Sequence, residues 1–291
     1  MSPGRGRWSS RLCWRLAAAL LALSWSTLAV AESFECLIEP MQVVELRSPA
    51  EGLIENIYVQ RGDTVTKGQK LVDLQSDVER SAVEAAHFRA GMKGRIMAAK
   101  NRLAFARKKL QRLQTLLKKK FGAAEKVDEA ETEKQLAEAQ LQEALEDREL
   151  DRLNYLHAQD QLNLRTLHSP LNGVVVKRML NPGDLAESGT DRKPILKLAQ
   201  IDPLRVEVVL PETAYGKIHV GMVGTVTPED LGGTYTAHVT VVDRVIDAAS
   251  GTLGVRLELP NPDDKLPGGL RCRVQFPALP DIAPLPADKP R

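Results

Sequence analysis

Five histidines and three cysteines are the residues of this 291-residue chain with the richest chemistry, and their spacing decides how much of it they can perform. His87, His157, His168, His219 and His238 contain no H-x-x-x-H pair and lie near no Cys, so they do not spell a zinc site. Met41, Met92, Met97, Met179 and Met222 do not cluster, which gives soft-metal handling no support. There is no Gly-rich phosphate loop, and no Ser, His and Asp stand in a nucleophile context. Arg61, Gly62 and Asp63 spell an adhesion tripeptide, yet Pro182, Gly183 and Asp184 echo it downstream, which makes both a turn. The remaining concentration of charge is Lys108, Lys109, Lys118, Lys119 and Lys120, opposed by Glu125, Asp128, Glu129, Glu131 and Glu133. Such a cluster is either a solvated helix face or a partner surface. No catalytic, cofactor-binding or metal-binding residue is assigned, and the chain is expected not to be an enzyme.

The ends of the chain bound its compartment. Residues 1–31 carry Arg5, Arg7, Arg11 and Arg15 without an acid, then an apolar run from Leu16 to Leu23, then Ala29 to Ala31 in the A-x-A pattern of a secretory signal peptide. The run is interrupted by Ser24, Ser26 and Thr27, short of the ~20 apolar residues of a spanning helix. Cys13 precedes the run and is no lipoprotein acceptor. Removing the four Arg of this segment leaves 36 basic against 38 acidic residues, so the exported chain loses the electrostatic motive for binding nucleic acid. Only nine aromatics lie beyond residue 31, so the core must rest on Leu, Val, Ile and Ala.

Two short stretches repeat at one offset. "SPAEG" at Ser48–Gly52 returns as "SPLNG" at Ser169–Gly173, 121 residues later, and the Gly62–Asp63 and Gly183–Asp184 turns keep the same offset. Each opens a segment of short alternating strands, with turns assigned to Gly52, Gly62, Asp63, Gly173, Gly183 and Asp184. Neither segment is long enough to bury a sheet face alone. Between them, residues 77–160 contain no Pro and are dense in Ala, Leu, Glu, Lys, Arg and Gln. Ile96, Ala99, Leu103, Ala106, Leu110, Leu113 and Leu117 alternate spacings of three and four, the seam of a coiled coil. Gly122 is expected to let the chain reverse, and Val127, Ala130, Ala137, Leu141 and Ala144 or Leu145 form the returning seam, which Lys134 and Arg148 interrupt. Two helices of about 40 residues make an antiparallel hairpin about 60 Å long. From Pro203 onward, short strands punctuated by Gly and Pro indicate a small β-barrel, with the helix-like "PETAYGKI" capping one mouth.

The pair "SPAEGLIENIYVQRGDTVTKGQKLVDL" and "SPLNGVVVKRMLNPGD" resembles the two half-motifs of a lipoyl or biotinyl carrier domain. The turn that carries the modified Lys in carriers is here replaced by the helical hairpin, so no cofactor is expected. A lipoyl-like fold interrupted by a hairpin, followed by "VVDRVIDAASGTLGVRLELPNPDDKLPGGL", resembles the membrane fusion proteins, the periplasmic adaptors of tripartite efflux pumps. The resemblance implies an α+β, elongated, multidomain chain. Its layout is a signal peptide at 1–31, a strand joining the barrel at 32–42, lipoyl-like halves at 43–76 and 163–201 around a hairpin at 77–162, a β-barrel at 202–276 and a disordered Pro-rich tail at 277–291. With only Glu32 to Gln42 before the first half-motif and a Pro-rich tail after Phe276, the family's further membrane-proximal domain is expected to be missing, and transporter docking is then expected to fall to the barrel.

The resemblance also implies partners: an inner-membrane transporter of the resistance-nodulation-division type, an outer-membrane channel, and further copies of the chain packed into a tube, all in the periplasm. Alternatives are an adaptor of a type I or ABC-type export system, or a carrier-type subunit of an enzyme complex. At the hairpin tip the family carries an Arg, a Leu four residues on and a Ser seven after that; here the positions hold Arg112, Leu116 and Ala123. The family's N-terminal strand joins the barrel, which would make Cys36 and Cys272 neighbours able to form a disulfide, two separately buried thiols being the alternative. All three Trp (Trp8, Trp14 and Trp25) precede the expected cleavage point. The exported protein should therefore fluoresce as Tyr alone; a Trp emission band would show that the N-terminal segment is retained.

Overall fold

The computed structural model describes residues 33–187 and 193–276; the expected signal segment and the Pro-rich tail lie outside the described residues. The described residues divide into two compact units, one lying within 43–200 and one combining 33–42 with 201–276.

In the first unit the repeated segments interlock through their backbones. The strands β2 (Gly52–Ile57), β3 (Thr64–Val65) and β4 (Lys70–Leu74) come from the first half and β5 (Thr166–His168), β6 (Gly173–Arg178) and β7 (Leu185–Ala186) from the second; β5 and β7 flank the β4–β2 pair in one sheet ordered β5-β4-β2-β7, and β3 pairs β6 in the other. The offset of 121 reappears as a pseudo-twofold relation. Gly62 N–H donates to Val175 O at 2.9 Å, and Gly183 N–H donates to Ile54 O at 2.8 Å; Val175 is the echo of Ile54. Asp63 accepts from Gln60 N–H and Asp184 from Asn181 N–H, both at 2.7 Å, closing two matching turns around Gly62 and Gly183 at φ of 94° and 92°. Those φ values suit Gly because it lacks a Cβ. Buried Ser48 and Ser169 likewise each donate their hydroxyl to the carbonyl two residues on, Ala50 and Leu171. Ile54, Leu71, Leu74, Ile195, Leu196 and Leu198 fill the space between the halves at 2% exposure or less.

Gly52 and Gly173 correct the expectation that they form turns: both begin strands. Their lack of a side chain serves close approach instead. A Cβ on Gly173 would lie 2.1 Å from Ala199 O, and one on Gly52 would lie 2.6 Å from Nη1 of Arg165, which donates to Glu51 O.

The hairpin belongs to the same unit. Its outgoing arm is two helices, α1 (Asp77–Gly91) and α2 (Gly94–Lys118), where one uninterrupted helix was expected; the return arm is a single 40-residue helix, α3 (Ala124–Asn163). The break falls where Met92 leaves the helical region at ψ 126°, between Gly91 and Gly94, the two weakest helix formers of the arm. It does not shift the pairing. The His87 ring packs tilted against Tyr155 with centroids 5.1 Å apart, Arg95 bonds Asp147 at 3.2 Å, Arg102 bonds Gln140 at 3.0 Å and Lys109 bonds Glu133 at 2.6 Å, and in each of these four pairs the residue numbers add to 242. Ile96, Leu103, Ala106 and Leu110 are buried along the outgoing seam and Ala130, Ala137 and Ala144 along the return. Ala144, not Leu145, thus holds the seam. Lys134 occupies its seam position by lying alongside Glu131 and Glu138, at 3.6 and 3.8 Å.

In the second unit, β1 (Ser33–Leu46), β12 (Leu270–Gln275), β9 (Val223–Pro228), β10 (Tyr235–Val242), β11 (Thr252–Leu259) and β8 (Leu196–Pro211) follow one another as neighbours, and a β1–β8 pairing closes the barrel. Every second residue of β11 (Leu253, Val255, Leu257 and Leu259) points inward at 1% exposure or less, each contributing about 1.5–3 kcal/mol by burial. "PETAYGKI" forms only a three-residue 3₁₀ turn, Glu212–Ala214, rather than a helix, and Ala214 and Ile218 are buried in the barrel core. Asn261 explains the "LPNPD" stretch: its amide donates to Ile201 O and Leu266 O and accepts from Leu266 N–H, so this buried side chain staples the loop before β12 to β8, the partner of β11. Outside the core, Glu39, Arg205, Glu207 and Arg256 form a continuous chain of ion pairs across β1, β8 and β11.

Cys36 and Cys272 face each other on β1 and β12 and are joined by a disulfide, their Cα atoms 4.8 Å apart across a sequence separation of 236 residues. The bond ties the first described strand to the last. Thiol labelling of denatured, unreduced protein should find no free thiol, and replacing both residues by Ser should lower stability by about 2–4 kcal/mol in a denaturant titration. Two reactive thiols would show that the cysteines remain separate.

Candidate partner-contact site

The hairpin tip is where packing gives out. Burial falls along the outgoing seam from Leu110 at 7% exposure, through half-buried Leu113, to Leu117 at 37%. The two arms are then joined by residues 119–123.

The turn is a helix C-terminal motif with an unusual occupant. Lys120 N–H donates to Leu117 O at 2.9 Å and Phe121 N–H to Leu116 O at 3.0 Å, the paired bonds that close a helix when the residue between them turns left-handed. That residue is Lys120, at φ 63°. The expectation that Gly122 supplies the reversal is corrected: Gly122 is needed for proximity, since a Cβ there would sit 2.9 Å from Leu117 N. A non-glycine side chain in the left-handed region costs about 1 kcal/mol, so the tip holds Lys120 at some expense. Phe121 follows with 84% of its surface exposed. Ala123 is the N-cap of α3, without a side chain able to cap.

Arg112 and Leu116 stand one turn apart on the exposed flank of α2, beside the seam rather than in it. Leu116 is 44% exposed, and the Arg112 side chain makes no hydrogen bond or ion pair among the described residues. The pairing register explains why. The position opposite Arg112 is Ala130, an apolar seam residue, whereas Arg107 reaches Glu138 at 2.9 Å, a bond that holds the Glu138 carboxyl below the ordinary glutamate range. The structure therefore brings Arg112 and Leu116 together on one face. It puts Ala123 on the other arm, at the start of α3.

A second polar cluster lies on the first unit's sheet. Burial would raise the Asp73 carboxyl, but hydrogen bonds from Lys70, Tyr58 and Thr166 outweigh it and hold Asp73 below its usual range. The cluster is internally satisfied and ties β4 to β5. Among the described residues no group of three or more His, Cys, Asp or Glu is placed to hold a metal, and no helix is long and apolar enough to cross a membrane. From sequence Lys120 stands out only as a member of the basic cluster and Phe121 not at all, and the reversal is assigned to Gly122.

Residues 204–279 match the family model described as the CusB-like beta-barrel domain. An uncharacterized protein of Haemophilus influenzae is 26% identical over 247 residues, 84% of this chain and 56% of its own length. The pyoverdine export membrane fusion protein PvdR of Pseudomonas aeruginosa is 23% identical over 186 residues, 64% of this chain and 48% of its own. The chain thus spans about half the length of these two relatives. The crystal structure of MacA from Actinobacillus actinomycetemcomitans matches with a TM-score of 0.72 at 21% identity, covering 84% of this chain and 78% of that one, a likeness of fold. The half-motifs spliced around a hairpin, the matched barrel and these likenesses together make the chain similar in sequence to membrane fusion proteins and alike in fold to MacA.

Proposed function

We propose that the protein is a periplasmic adaptor that links an inner-membrane transporter to an outer-membrane channel for the efflux of small molecules. The observation that carries this reading is the hairpin: a two-arm rod spliced into a domain that carries no lipoyl-type turn, ending in a tip whose Arg112 and Leu116 are exposed and make no contribution to the rod's own seam. Its action is mechanical rather than catalytic. Tips meet the channel's helices, copies pack side by side into a tube in the periplasm against the inner membrane, and the barrel couples them to a transporter of the resistance-nodulation-division type. An Arg fork can bond carbonyls or carboxylates of a facing helix while a Leu one turn away fills a groove. The layout from signal peptide to tail set out from the sequence is part of the same proposal.

Arg112→Asp combined with Leu116→Ala should leave the protein folded and exported, because neither residue lies in the seam, while abolishing efflux and crosslinking to the channel. Normal efflux and crosslinking in that double variant would defeat the reading. Copurification with an ABC-type transporter in place of a resistance-nodulation-division protein would move the chain to the alternative export system.

Ala123 has a separate expectation. The family's hydroxyl at this position would fall on the N-cap of α3, where Ser accepts a bond from a first-turn N–H that Ala leaves to water. Ala123→Ser should therefore raise stability by about 1 kcal/mol without loss of efflux. A drop in melting temperature would show that the position is not a cap.

A further inference from the structure

We propose that the tip is built to receive an acidic protein surface, with cations on its α2 side providing attraction and Phe121 serving as an apolar anchor. The inference rests on the adaptor reading and names the chemistry of the partner at that site. Along the body of the hairpin many cations are matched, Arg95 with Asp147, Arg107 with Glu138, Lys109 with Glu133, and Lys134 with Glu131 and Glu138, while others, such as Lys93, Lys100 and Arg148, have no side-chain partner among the described residues. Toward the tip Lys126 is still paired with Glu129 on α3, but on the α2 side and the turn the cations gather without partners. Lys108, Arg112, Lys118, Lys119 and Lys120 make no hydrogen bond or ion pair through their side chains among the described residues.

Twelve residues of rod separate the first of these cations from the last, about 18 Å, and the three at the end are contiguous, well within the roughly 8 Å over which salt screens charge. Repulsion among them opposes the folded tip. Attraction of Lys118 to the helix C-terminus offsets part of this. It does not account for Lys120, held at φ 63° where Gly would be unstrained, or for Phe121, 84% exposed at the outermost turn. A large apolar side chain set among uncompensated cations is the composition of a contact surface whose partner supplies the missing charge and an apolar pocket.

The acids choose between a protein and a membrane. Glu125 and Asp128, on the opening turns of α3, also make no side-chain bond among the described residues. The tip therefore bears both signs, positive on α2 and the turn and negative on α3. An anionic lipid surface would be repelled by the α3 side, whereas a folded partner can set acids against α2 and a base against α3. One Phe also offers little area for insertion into a bilayer.

The test uses the full chain in its native envelope, with a photo-crosslinker in the Phe121→p-benzoylphenylalanine variant and mass-spectrometric identification of the captured peptide. The expected peptide is acidic. Its capture should fall about tenfold in Lys108→Glu, Lys118→Glu, Lys119→Glu, fall less in the corresponding Gln variant, and recover when an acid of the captured segment is changed to Lys. Circular dichroism of each variant establishes that the hairpin is intact. Capture of a channel peptide that is neutral or basic, or whose yield ignores the charge reversal, overturns the inference while leaving the adaptor reading standing. Charge-dependent capture of an acidic protein other than a channel supports the inference and overturns the adaptor reading. Equal binding of the wild-type chain to phosphatidylglycerol-containing and pure phosphatidylcholine vesicles is also expected. A preference for phosphatidylglycerol that the reversal abolishes assigns the tip to lipid and overturns the proposal.

Discussion

The two lipoyl-like halves depend on each other through a reciprocal exchange of backbone hydrogen bonds, Gly62 to Val175 and Gly183 to Ile54. A half-motif of this size cannot bury both faces of its own strands, so each half donates to the other and the core residues Ile54, Leu71, Leu196 and Leu198 are shared between them. This constraint makes the insertion of a long hairpin tolerable. The ends of the hairpin must return to neighbouring strands, and β4 pairs β5 directly, with Val72 opposite Leu167, so α1 begins and α3 ends at a fixed place. Arg165 completes the closure, bonding Glu51 O and Glu79 at the root of the rod.

Within the hairpin, stability and function are separated by position. Small residues on the return arm, Ala130, Ala137 and Ala144, let the larger side chains of the outgoing seam pack closely, and the one register held by His87–Tyr155, Arg95–Asp147 and Lys109–Glu133 survives the helix break at Met92. Exposed ion pairs of this kind contribute little each, about 0–1 kcal/mol, so their service is to fix register more than to hold the rod together. Toward the tip the same side-chain types are left unmatched. Arg112 faces apolar Ala130, and the turn tolerates a left-handed Lys120, both choices that favour contact over stability.

The barrel solves a different problem. Six strands leave no free edge once β1 meets β8, and the disulfide between Cys36 and Cys272 adds a covalent tie between strands distant in sequence. The loop clamp at Asn261 is the polar counterpart: a buried amide whose partners are all backbone groups of its own surroundings, which is the condition for burying it without penalty.

What the sequence by itself determined follows from periodicity, which is local. The spacing of three and four along Ile96 to Leu117 required a seam, alternation in the barrel strands required an inward face, and the offset of 121 between two Ser-Pro and two Gly-Asp stretches required a repeated unit. Tertiary structure decided what depends on atoms brought together from afar. Gly52, Gly122 and Gly173 read as turn residues because Gly most often is one, yet their lack of a side chain answers the close approach of Arg165, Leu117 and Ala199, which no local pattern encodes. The left-handed residue of the tip is Lys120 because two N–H groups had to reach back to Leu116 and Leu117. Which of Ala144 and Leu145 faces the seam, and whether Cys36 meets Cys272, were likewise settled by register between segments far apart in the chain. The identity of unmatched charge at the tip belongs to the same class, since Lys109 and Arg112 look alike in sequence and differ only in what the opposite helix places before them.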